Sequence, residues 1–253
     1  MRRTGLICAM AEEFDCSIEL RRNAVVTDCF GWKIHTSTLP NGSQLSSVMS
    51  GIGKVNASLA VSILKQKMDV DFILTYGIAG ILNKELQIFD QIIGNEVNYH
   101  DCWRPNAELD SQYTRLFSMA ETFKFDSVQN QRLIEYLQPL LPELPEPIAM
   151  RAVRNKPVLR TGKIVTGDIP CNQEETASRL RSVYRADCVD MEGAAVAQAC
   201  YMLNIPCLTY RFMSDYANEH SNLHIMRNGP YLYPYISKVL PLLINYVTDF
   251  GEI

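Results

Sequence analysis

The sequence has no CxxC pair, no long apolar run and no surplus of basic charge, and each absence closes off a class of function. Eight cysteines stand at 8, 16, 29, 102, 171, 188, 200 and 207, mostly within apolar stretches. Without metal-type or redox-type spacing they read as reduced, buried thiols. No window approaches the ~18 uninterrupted apolar residues of a membrane span. The start, "MRRTGLICAMAEEF", has too short an apolar run for a signal peptide, because acids follow at once. The expectation is a cytoplasmic protein with no membrane partner. A net charge of −4 leaves no electrostatic footprint for nucleic acid, and the densest basic cluster, at 150–163, alternates with apolar residues like a solvated strand face. His220 and His224 lie four apart, but no third ligand accompanies them and "NEHSNLH" reads as a polar loop, so no metal is expected. Internal repeats and low-complexity stretches are also missing.

What is present is an ordinary globular composition, 47% apolar and 21% charged, over 253 residues, enough for a sizeable core. Short apolar runs at 4–10, 71–77, 162–167, 187–191 and 205–213 read as buried strands. Helical patterns lie at 11–22, 53–67 and 192–203. Strand–helix–strand alternation implies a three-layer α/β/α fold with a largely parallel sheet covered on both faces. Two alternating runs around Pro40, Asn41 and Gly42 form a hairpin, so the sheet is mixed. The segment 232–250 reads as a helix kinked or started by its prolines. The stretch from about 101 to 155 is the least patterned, an excursion from a single domain with one helix near 129–140.

Acids recur where strands end. Glu12 and Glu13 follow the first, Asp190 and Glu192 the fourth, and Asp215 the fifth. Any one alone would be read as a helix cap or first-turn residue. Three such ends in one sheet converge on one crevice, since ligands of open α/β sheets sit at the carboxyl ends of strands. Crowded carboxylates repel, which raises at least one pKa and prepares acid/base chemistry. On an ideal strand Asp190 and Glu192 would share a face, but a helix starting at Glu192 breaks that geometry, leaving Asp190 either a direct or a capping role. "SGIGK" (50–54) is a glycine turn entering a helix, which offers backbone N–H groups to a polar ligand. It lacks the third glycine of a dinucleotide fingerprint.

"GLICAMAEE", "SGIGKVNASLA", "YGIAG", "VTGD", "VDMEGAAVAQAC" and "YRFMSD", in this order and spacing, resemble the nucleoside phosphorylase/nucleosidase superfamily. Within it they are most similar to the 5′-methylthioadenosine/S-adenosylhomocysteine nucleosidases. The resemblance covers most of the chain outside about 101–155. It implies a partly barrelled sheet, hydrolysis of a purine N-ribosidic bond, no cofactor, a small-molecule nucleoside as partner and a homodimer. By the same resemblance, Glu13 holds and deprotonates the attacking water, and Asp215, supported by Ser214, protonates N7 of the leaving purine. Met191 packs on the ribose and Glu192 bonds its hydroxyls. Arg211 stands near water and ribose, while Met10 and Ile52 line the sugar pocket. That arrangement suits a transition state with positive charge on the sugar and negative charge on the base.

Departures from the family concern the base and the 5′ substituent. Ile78 stands where a small polar residue is usual, and Pro170 and Cys171 stand where an aromatic and an aliphatic residue meet the purine. A family aromatic is replaced near Ile225. Two alternatives remain at this point: a purine nucleoside phosphorylase using phosphate, and a catalytically silent nucleoside-binding or storage relative.

Overall fold

In the computed structural model, which describes residues 1–101 and 123–249, the short apolar runs become strands β1 (Arg3–Cys8), β5 (Phe72–Ile81), β8 (Leu159–Thr166), β9 (Cys188–Asp190) and β10 (Cys207–Asp215). The hairpin forms as β3 (Trp32–Thr38) and β4 (Gln44–Met49), with β2 (Val25–Cys29) antiparallel on its outer edge. The remaining strands are β6 (Gln91–Tyr99) and the short β7 (Phe123–Lys124). The sheet runs β10-β6-β8-β9-β5-β1-β4-β3-β2, and β10 pairs with β5 as well. That second pairing closes β10, β6, β8, β9 and β5 into a barrel, from which β1, β4, β3 and β2 extend as an open wing. The sheet is thus mixed and partly barrelled, with parallel ladders β4–β1–β5–β10 and β6–β8–β9 joined by antiparallel contacts.

The helices are α1 (Ala11–Asp15), α2 (Lys54–Met68), α3 (Ser127–Leu137), α4 (Glu146–Ala149), α5 (Glu174–Tyr184), α6 (Gly193–Met202) and α7 (Ser221–Asp249). Strand alternation splits the core into two layers. Leu6, Leu74 and Phe212 point to one face and pack with Leu232, Ile236, Val239, Leu240, Leu243 and Ile244 of α7. Their neighbours Ile7, Ile73 and Met213 point to the other and pack with Ala57, Val61 and Leu64 of α2 and Ala194, Val196 and Cys200 of α6. Burying each large aliphatic side chain contributes about 1.5–3 kcal/mol, which is what holds three layers together.

Several local expectations differ from the structure. The helix read over 11–22 stops at Asp15, and only a 3₁₀ turn, Glu19–Arg21, follows. Arg21 reaches back to Phe14 O (2.8 Å) and Ser17 Oγ (2.8 Å), so the helix end is satisfied by a side chain rather than by more helix. The polar stretch near His224 is not a loop throughout, because α7 begins at Ser221. It then runs through Pro230, Pro234 and Pro241 instead of starting at 232. Leu232, Tyr235, Ile236, Val239, Leu240, Leu243, Ile244 and Val247 keep a buried helical stripe, while Pro230 and Pro234 face solvent, where water can satisfy the freed carbonyls. Burial overrides the proline penalty.

The helix expected near 129–140 is α3, capped by Asp126, whose carboxylate accepts from Val128 and Gln129 N–H. A second short helix, α4, shares that excursion, whose residues 102–122, Cys102 among them, lie outside the described part. Seven described cysteines are free thiols. Among the described residues no helix is long and apolar enough to cross a membrane.

Candidate active site

Arg211 anchors the site. It stands in mid-β10, 1% exposed, and donates from Nε to Asp190 Oδ2 at 2.7 Å and from Nη1 to Tyr210 O at 3.1 Å. Burial works against its charge, but Asp190, Glu192 and Glu13 surround it and hold its pKa above the ordinary value. The acids after the first and fourth strands therefore do converge, on one buried cation.

Within each acidic pair the fold assigns different work. Glu12 is exposed and Glu13 is buried. Glu13 Oε2 accepts from Ala9 N–H (2.9 Å) and Met10 N–H (3.0 Å), and Oε1 from Ile78 N–H (2.8 Å). Gly77 of "YGIAG" makes room for it, since a Cβ there would come within 2.6 Å of Oε1. Burial pushes the Glu13 carboxyl's pKa up, against those N–H donors and Arg211, and so makes it a stronger base. Asp190 has the capping role. Besides Arg211 it accepts from Gly193 N–H (3.0 Å) at the start of α6 and from the Thr166 hydroxyl, which in turn accepts from Ala194 N–H. Glu192 has left the strand direction, as the helix start dictates, and its Oε1 accepts from Gly53 N–H at 3.0 Å. Burial and then Asp190 push the Glu192 carboxyl up to about 7, against the pull of Arg211.

Asp215 closes β10 after a register shift between Met213 and Asp215, a bulge that re-aims its side chain. Ser214 donates to Oδ2 at 2.7 Å and Ala217 N–H to Oδ1 at 2.8 Å. Asp215 lies against Gly80 as Glu13 lies against Gly77. Three residues of strand separate these points, roughly 10 Å. Cys171 borders the Asp215 end. It is half-buried, its Sγ is 3.9 Å from Ala217 O, and burial followed by Asp215 pushes its thiol up to about 11. Met10, Ile78 and Met191 are half-buried, while Ile52 is 51% exposed in the turn before α2.

Residue-type reasoning missed Gly53 and Thr166 as parts of the site. The glycine turn carried the only signal, as a source of N–H groups, but its partner across the fold was not legible. His220 and His224 stack edge to face with centroids 6.3 Å apart beside Tyr216. Among the described residues no group of three or more His, Cys, Asp or Glu could hold a metal ion.

Residues 3–228 match the model of the phosphorylase superfamily, and the chain belongs to that superfamily. More narrowly, it is 31% identical over 220 residues, 87% of this chain and 86% of the relative, to a 5′-methylthioadenosine/S-adenosylhomocysteine nucleosidase of Colwellia psychrerythraea. A solved structure of such a nucleosidase from that organism, in complex with adenine, matches with a TM-score of 0.77 and 28% identity over 98% of this chain and 95% of the other. The Streptococcus pneumoniae nucleosidase with a transition-state inhibitor gives 0.74 and 26% over 98% and 99%. The futalosine hydrolase of Helicobacter pylori, at 24% identity and a TM-score of 0.77 over 98% of both chains, shares the fold.

Proposed function

We propose that this chain hydrolyses the N-ribosidic bond of a purine nucleoside, 5′-methylthioadenosine or S-adenosylhomocysteine, releasing the base and a free (thio)ribose. The observation that carries this reading is the buried Arg211 ringed by Glu13, Asp190 and Glu192, with Asp215 a few residues along the same strand. As the bond breaks, the sugar becomes cationic and the base anionic. Glu192 accepts the ribose hydroxyls and Met191 packs against the ring. Glu13 takes a proton from the attacking water, and Asp215, oriented by Ser214, protonates the leaving base. Met10 and Ile52 border the sugar, and Ile78 and Cys171 border the substrate's other parts. No cofactor enters the chemistry.

Water rather than phosphate is the nucleophile in this reading. A carboxylate ~4 Å from a phosphate oxygen repels it by about 4 kcal/mol per charge pair at an effective dielectric near 20. Arg2 and Arg3 do not offset this, since they stand at the N-terminal end of β1, opposite the end that leads to Glu13. Arg2 donates to Val247 O, and Arg3 pairs with Asp69. Products formed with phosphate present test the point: free reducing sugar is expected, and phosphate-dependent ribose 1-phosphate would reassign Glu13.

The pH profile follows from Glu192. Its anion is the form that accepts two hydroxyls, so kcat/KM should fall as pH drops through about 7. Glu192→Gln should remove that limb and lower kcat/KM by about 10–100-fold, the worth of hydrogen bonds to a charged group. A variant with the wild-type limb would take Glu192 out of the site.

The active form in this reading is a cytoplasmic homodimer serving methionine salvage. Support for the dimer comes from α2, whose outer side exposes Val55 (68%) and Leu59 (49%) next to Ile52 at the site. Leu59→Glu should therefore give monomers by sedimentation together with reduced activity. Full activity from a monomeric wild-type enzyme would contradict the dimer.

A further inference from the structure

Two consecutive backbone N–H groups at the start of α2 each end on a carboxylate. Gly53 N–H donates to Glu192, and Lys54 N–H donates to Asp168 Oδ1 at 2.8 Å. Gly53 has φ +101°, a conformation that favours glycine, and a Cβ there would lie 3.1 Å from Asp168 Oδ1. The Lys54 ammonium stands 2.7 Å from Asp101 Oδ1 and 3.5 Å from Asp168 Oδ2. Asp168 N–H donates to Asp101 Oδ2 at 2.8 Å. The chain beyond β6, the chain beyond β8 and the start of α2 are thereby tied together around one ammonium.

We propose that the Lys54–Asp101–Asp168 latch positions Glu192, by fixing the Gly53 turn where its N–H can hold that carboxylate towards the ribose. The inference rests on the nucleosidase reading above. Asp101 and Lys54 are largely sheltered, so this pair escapes much of the screening that weakens exposed ones. Burial opposes the charge on Asp101, yet the hydrogen bonds from Lys54 and Asp168 N–H outweigh it and hold its pKa below the usual range. Among the described residues His100 also acts on Asp101, and burial keeps the His100 pKa below the usual imidazole value. Glu192 faces Asp190, Arg211 and Glu13 from β9, β10 and α1, and faces Gly53 from the turn that enters α2. Of these contacts only the Gly53 N–H depends on the latch, so freeing the turn changes one partner of Glu192 and leaves the charges around it in place.

Asp168→Ala in the full chain tests this, once the wild-type enzyme has been shown to hydrolyse a nucleoside. Removing an anion would by itself lower the pKa of Glu192 and move the acid limb of kcat/KM to lower pH. Loss of the Gly53 N–H moves it the other way. The latch therefore predicts a limb shifted to higher pH and a loss in kcat/KM of about tenfold or more, mostly in KM, because the ribose is held in ground and transition states alike. Amide exchange of residues 51–54 should also quicken. Asp168→Asn, which keeps an oxygen on Lys54 N–H, should recover most of the wild-type KM. A limb shifted to lower pH with unchanged KM would overturn the latch. Should Asp168→Ala fail to fold, Lys54→Gln must show the same rise in KM, and a wild-type KM in that variant would overturn the proposal. Absence of hydrolysis by the wild-type enzyme would instead overturn the nucleosidase reading, and the latch's role with it.

Discussion

Asp215→Asn is expected to lower kcat by at least about 10²–10⁴-fold, the usual contribution of a general acid. The substitution is isosteric. An amide oxygen in place of Oδ1 still accepts from Ala217 N–H, and Ser214 remains at its side. What disappears is the transferable proton that the leaving base needs, because the N–H protons of an amide are far too weakly acidic to be given up. The loss should therefore fall on kcat and leave nucleoside binding close to wild type, which equilibrium binding of the unreacted substrate would show directly. Retention of most of the wild-type kcat would remove the acid role from Asp215. A large rise in Kd with little change in kcat would make it a binding residue instead.

Arg211→Leu should be the most destabilising single change in the site. The side chain is 1% exposed, and the three carboxylates around it would be left facing one another in a dry interior. Breaking a buried ion pair from one side costs about 3–5 kcal/mol, because the remaining charge is uncompensated. At about 2–4 °C of Tm per kcal/mol for a chain of this size, the drop should be roughly 10 °C. The carboxylates would respond by taking up protons, so their folded pKa values would rise above those of the unfolded chain. The native state then binds more protons than the unfolded state, and stability falls as pH rises. The Tm deficit of Arg211→Leu should accordingly widen from pH 5 towards pH 8. Adding Asp190→Asn should narrow it, since one stranded charge is then gone. A deficit that ignores pH would mean that Arg211 acts through packing alone. A Tm equal to wild type would show that the carboxylates do not depend on it.

Local pattern decided a good deal of this protein. Runs such as "DFILTYG" and "IPCLTYRFM" are too short and too rich in β-branched and aromatic residues to be helices, and they are strands. The Pro40–Gly42 turn specified a hairpin, and the acids at strand ends marked residues of which Glu13, Asp190 and Glu192 gather around Arg211. Side-chain period and turn chemistry are local properties, so one stretch of chain carries them whole. Tertiary structure alone decided what each acid of a pair does. Glu13 is buried because Gly77, far along the chain, leaves room for its carboxylate, whereas the adjacent Glu12 reaches water. Asp190 became the cap and ion-pair partner, and Glu192 was turned towards Gly53, because α6 starts directly after Glu192 and Arg211 of β10 reaches Asp190. Closure of the barrel by β10 between β5 and β6, the passage of α7 through three prolines and the tie between Lys54, Asp101 and Asp168 are of the same kind. Each joins groups from distant parts of the chain and is stable only once the surrounding core has formed, so no local stretch of sequence encodes it.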